Sequence, residues 1–102
     1  MNREEILRNL FTKATEDTIE TLPYTIQMFQ DSLHDLKKSL TSDLDFLLGA
    51  FFAQVILFYS VYCSNKDIQP TIEESSRFNY ELFSKAEEYK IMIRELMIID
   101  NS

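Results

Sequence analysis

At 102 residues, 45% hydrophobic and 26% charged, the chain has the length of one domain and enough apolar material for a core without disulfides or metal. A formal charge of −7 argues against a nucleic-acid partner, whose phosphates it would repel. One glycine and two prolines leave few tight turns, which favours long helices over a sheet, and the lone Cys63 excludes an intrachain disulfide and fits a reducing cytoplasm.

The opening MNREEILRNL carries acids where a secretory leader would be basic, so no such leader is expected. Asn2 followed three residues later by Glu5 makes a capping-box-like start. Ile6, Leu7, Leu10, Phe11, Ala14, Thr18 and Ile19 then recur at helical spacing and predict a first helix over residues 3–20. Arg3, Arg8, Lys13, Glu16, Asp17 and Glu20 form its solvated side. Pro23 disfavours helical geometry at Leu22 and suits the first turn of a new helix. A second helix is therefore expected from this point, with Leu22, Ile26, Phe29, Leu33, Leu36 and Leu40 as its seam. Ser42 and Asp45 resemble a fresh capping box, and one helix running from Pro23 to Cys63 would be about 60 Å long, so a break is expected near residues 41–43.

Residues 44–63, LDFLLGAFFAQVILFYSVYC, are apolar on every side of a helix. Leu44, Leu47, Leu48, Phe51, Val55, Phe58 and Tyr62 form one stripe, with Phe46, Ala50, Ala53, Leu57 and Val61 opposite. This third helix needs more cover than three partner helices of one short chain supply. A membrane span is the competing reading, since the run is near the lower length limit for one. Gln54 and Ser60 interrupt it, however, Asp43 and Asp45 stand at its start, and no Lys or Arg cluster flanks it closely.

The segment SNKDIQPT reads as a loop closed by Pro70, and Thr71 with Glu74 as a capping box. A fourth helix over about residues 72–99 would present Ile72, Phe78, Leu82, Ala86, Tyr89, Ile93 and Leu96 as its stripe. Its end is apolar nearly all round, with Met92, Met97 and Ile99 contributing, which marks an interface.

His34 is the only histidine, so a multi-histidine zinc site within one chain is excluded, and the paired Glu-x-x-His elements of di-iron bundles are missing. The run His34-Asp35-Leu36-Lys37-Lys38-Ser39 resembles the His-x-Leu-Lys-Gly-Ser motif of histidine-containing phosphotransfer domains, which are acidic four-helix bundles. That resemblance implies His34 as phosphoacceptor with Lys37 beside it to offset the phosphoryl charge. The sequence departs from the motif at Lys38, which stands where the family has glycine. No Gly-rich phosphate loop, cysteine pair or nucleophile elbow is present, and neighbouring acids such as Glu4-Glu5, Glu73-Glu74 and Glu87-Glu88 point about 100° apart on a helix.

The expected architecture is an all-α antiparallel four-helix bundle, a single domain over residues 1–102, with a very hydrophobic third helix. The expected function is non-catalytic protein–protein association without cofactor or metal, in the cytoplasm, through a homodimer or another protein partner. Gly49, Ala53 and Ile56 would form the uncovered face, joined by Met92, Met97 and Ile99. A phosphotransfer role for His34 and a small membrane-associated protein are the alternatives.

Overall fold

The computed structural model describes residues 1–32 and 43–100, the side chains of residues 30–32 and 98–100 excepted. Described residues form four helices: α1, Arg3–Ser32; α2, Asp43–Asn65; α3, Ile72–Ser84; and α4, Ala86–Asp100. The class is all-α. The partition differs from the expected one in two places, and the apolar helix is consequently the second, not the third.

The first difference is at Pro23, which lies inside α1 rather than at a helix start. Proline cannot donate to the Ile19 carbonyl and crowds it, a local cost of about 3 kcal/mol. The apolar phase does not break there. Leu7, Leu10, Phe11 and Ala14 continue through Thr18 into Leu22, Ile26 and Phe29, all buried, so one straight stripe crosses the proline. Burying Leu22, Ile26 and Phe29 contributes about 1.5–3 kcal/mol each, which outweighs the local penalty. Pro23 itself is exposed. Around it the hydroxyls of Thr18, Thr21 and Thr25 donate to the carbonyls of Ala14, Thr18 and Thr21 at 2.7, 3.0 and 3.2 Å.

The second difference is at Lys85, where the expected fourth helix divides into α3 and α4 with no glycine or proline to mark the place. The Ser84 hydroxyl donates to the Glu81 carbonyl at 2.7 Å, and the Lys85 N–H turns to the Leu82 carbonyl at 3.2 Å. A serine bonding back onto the preceding turn bends helices. Tyr89 N–H then reaches the Lys85 carbonyl at 3.1 Å and begins α4.

The helix starts follow the sequence. Asn2 Oδ1 accepts from the Glu5 N–H at 2.8 Å, and Thr71 with Glu74 forms a complete capping box on α3. At the end of α2, Asp67 takes φ 54°, a left-handed turn that aspartate tolerates better than most residues, and the Ile68 N–H folds back on the Cys63 carbonyl at 2.9 Å.

One core joins the helices, with Phe51, Leu7, Leu22, Ile26, Leu47, Leu82, Ile93 and Val55 fully buried. Phe11 sits between Tyr59 and Phe78, at ring centroid distances of 5.4 and 5.1 Å. Phe29 stacks on Phe46 at 5.0 Å, and Phe51 and Phe52 both meet Tyr89. The molecule measures 45 × 23 × 22 Å, and α1, with 30 residues, is about 45 Å long and runs its whole length.

Candidate interaction surface

The two sides of α2 have different fates. Leu47, Leu48, Phe51, Val55, Tyr59 and Cys63 are buried against the other helices. The opposite side stays open: Phe46, Leu57 and Val61 are 40, 59 and 44% exposed, and Gly49, Ala53, Ser60 and Ser64 are exposed with them. Asp, Glu, Lys and Arg are missing from residues 46–65, so this open side is uncharged from end to end and apolar except at Ser60 and Ser64. A Cβ added to Gly49 would meet nothing within 4 Å. Among the described residues, therefore, no neighbour makes use of the glycine, although glycine inside a helix costs about 1 kcal/mol relative to alanine.

Of the residues expected to form the interface, Gly49 and Ala53 lie on this open side and Ile56 is half-buried at its edge. Met92 and Met97 are half-buried and pack against the core, while the side chain of Ile99 falls outside the described residues. His34 and Lys37 also lie outside the described residues, as do residues 41 and 42 of the break expected near residues 41–43, whereas Asp43 begins α2.

Beside the open face, between α2 and the start of α3, is a cleft of about 610 Å³ bordered by Ile56, Tyr59, Ser60, Ser64, Ser75 and Asn79. Its floor holds a feature that sequence reading missed. Tyr59 is 4% exposed, and its phenol oxygen is buried without a hydrogen-bond partner. Burial pushes its pKa up, and the neighbouring Cys63 thiol raises it further. Burial also raises Cys63 above its ordinary value, so the thiol is protonated and sheltered. Only the i, i+4 spacing of Tyr59 and Cys63 hinted that the two would meet.

A set of ion pairs holds α3 against α1. Arg3 donates Nε and Nη2 to the two Glu74 carboxylate oxygens at 2.9 and 3.0 Å, and Nη2 also reaches the Gln69 carbonyl at 2.9 Å. The Arg3 hydrogen bonds, with the Thr71 N–H, hold the Glu74 carboxyl well below its ordinary 4.5, at about 2. Arg8 grips Glu81 in the same two-pronged way at 3.0 and 3.1 Å, and its guanidinium lies 5.2 Å from the centre of the Phe78 ring. Arg77 faces Glu4 at 3.5 Å. These groups are mutually neutralised and serve alignment. Across the molecule, Tyr62 donates to Asp17, and Lys90 reaches Asp45 at 3.3 Å.

Among the described residues no three His, Cys, Asp or Glu side chains converge to hold a metal ion. Compared with known proteins, the chain matches no family model, no curated protein and no solved structure.

Proposed function

We propose that this chain is a non-catalytic helical association module that pairs with a second copy of itself through the open face of α2. The observation that carries this reading is the exposure of Phe46, Leu57 and Val61 along the uncharged stretch 46–65 of α2, whose opposite side is buried. Contiguous exposed apolar surface of this kind is unusual on a soluble monomer and marks a site of association. A self-complementary patch closes most simply by a two-fold axis. The order of contacts supports an antiparallel arrangement of α1, α2 and the α3–α4 arm. Phe29 meets Phe46 and Lys90 meets Asp45 at one end of α2, whereas Phe11 and Phe78 both meet Tyr59 towards the other.

A second reading has its own observation: α2, with 23 residues, is long and apolar enough to cross a membrane, and 33% of its most apolar stretch is buried. Against a span, Lys85, Glu87 and Glu88 are exposed beside Phe83 and Tyr89, which pack on Phe51 and Phe52 near the middle of α2. Hydrocarbon surrounding α2 at that depth would have to accept three charges.

Size-exclusion chromatography with light scattering, without detergent, tests the proposal. The expected mass is twice 12.1 kDa, and Ala53→Glu is expected to restore the single-chain mass with an unchanged helical circular dichroism spectrum, because Ala53 is exposed within the chain. A wild-type protein that stays at the single-chain mass at high concentration overturns self-association. Recovery only in detergent favours the membrane reading.

A further inference from the structure

Resting on the reading of the α2 face as a self-association surface, we infer that the two copies of α2 pair antiparallel, in a register centred on Val55. The open residues have a two-fold pattern in size. At 100° per residue, Phe46, Gly49, Ala50, Ala53, Leu57, Ser60, Val61 and Ser64 all fall within about 60° of one line along the helix. Inverting that line about Val55 puts Phe46 level with Ser64 of the second copy, Gly49 and Ala50 level with Ser60 and Val61, and Ala53 level with Leu57. Every large exposed residue of one helix then meets a small residue of the other. Parallel pairing would set Phe46, Leu57 and Val61 each against itself and leave Gly49 and Ala53 facing one another across a gap.

Charge points the same way. Between residues 43 and 67 the charged residues are Asp43 and Asp45 at one end and Lys66 and Asp67 at the other. Parallel pairing gathers four carboxylates at one end, where Asp45 already engages Lys90. Antiparallel pairing divides these four carboxylates between the two ends of the pair and brings the exposed Lys66, with Asp67 beside it, near each. It also sets each helix N-terminus beside a C-terminus, the favourable alignment of helix dipoles. The small residues at the crossing allow close backbone approach, which gives the solvent-facing Gly49 a use that the single chain does not.

Cysteine cross-linking reads the register directly. In a Cys63→Ala background, Gly49→Cys and Ser60→Cys are introduced separately, both at exposed positions, and oxidised alone and as a mixture. In the inferred register two Gly49→Cys residues are about 18 Å apart and two Ser60→Cys residues about 15 Å apart along the helix, beyond disulfide reach, whereas the mixed pair is offset by only about 1.5 Å. The expected result is a mixed disulfide forming at least tenfold faster than either homodisulfide. Faster homodisulfides at both positions, or no cross-link in a protein that light scattering shows to be dimeric, overturns the antiparallel register while leaving self-association standing. A single-chain mass overturns the underlying reading instead. If Cys63→Ala does not fold, the buried native Cys63 is kept and peptide mass mapping locates the disulfide.

Discussion

Tyr59 shows how a single side chain departs from what its neighbours would favour. Its ring packs against both Phe11 and Phe78, but its hydroxyl is buried with no hydrogen-bond partner among the described residues, the Cys63 thiol being its polar neighbour. An unsatisfied buried hydroxyl carries an uncompensated desolvation cost of about 1–3 kcal/mol. Tyr59→Phe keeps the ring and removes that cost, so urea denaturation is expected to show unchanged or higher stability, by up to about 1 kcal/mol. A clear loss would mean that the oxygen makes a stabilising hydrogen bond within the folded chain, the Cys63 thiol being its polar neighbour. Glu74 is the opposite case, a carboxylate held by Arg3 and by the Thr71 N–H. Its folded-state value of about 2 lies below the ordinary 4.5, so its contribution is present above about pH 4.5 and is lost as pH falls towards 2. Comparing wild type with Glu74→Gln by urea midpoint should give the largest difference near neutrality and a vanishing one near pH 2.

At the scale of the element, helix α1 is decided by competition between a local defect and a long stripe. Pro23 is exposed, and the residues that hold the helix together, Leu22 and Ile26, are not its own ring. Replacing Pro23 by alanine restores a donor to the Ile19 carbonyl at no packing cost, and is expected to stabilise the protein by about 2–3 kcal/mol in thermal or urea unfolding. No gain would mean that the proline's rigidity is limiting the unfolded state as much as it disturbs the helix. Helix α2 carries the reverse tension. Its buried side is ordinary core, whereas its open side, apart from the stacking of Phe46 on Phe29, contributes little to the stability of the single chain and exposes the glycine that weakens it.

For the whole molecule that tension gives a prediction in which stability and assembly separate. In the single chain Gly49→Ala has open space and should raise stability by about 0.5–1 kcal/mol. In the proposed pair the same methyl group would stand against the second copy of α2, beside its Ser60 and Val61, so the dimer dissociation constant should rise. Denaturation of dilute, dissociated protein and light scattering across a concentration series measure the two effects independently. A variant that gains stability and pairs as tightly as wild type would place the contact elsewhere on the surface.

Helical spacing was enough to determine the all-α class, the capped starts at Asn2 and Thr71, and an α2 apolar on all sides. It also put Gly49 and Ala53 on one helical side, because which residues share a side depends only on local geometry, whereas which side stays open was decided by packing. His34 and Lys37 were singled out by a short motif, and spacing could not say what surrounds them. Helix boundaries were a different problem. Whether Pro23 ends a helix depends on a local penalty set against burial of Leu22, Ile26 and Phe29 by residues far along the chain, and Phe46 alone lies 17 positions beyond the Phe29 on which it stacks. The break at Lys85 carries no glycine or proline to mark it, and the isolation of the Tyr59 oxygen depended on what lay across from it. Those outcomes belong to the tertiary structure, because each is a small difference between local and long-range energies and only the packed chain supplies the second.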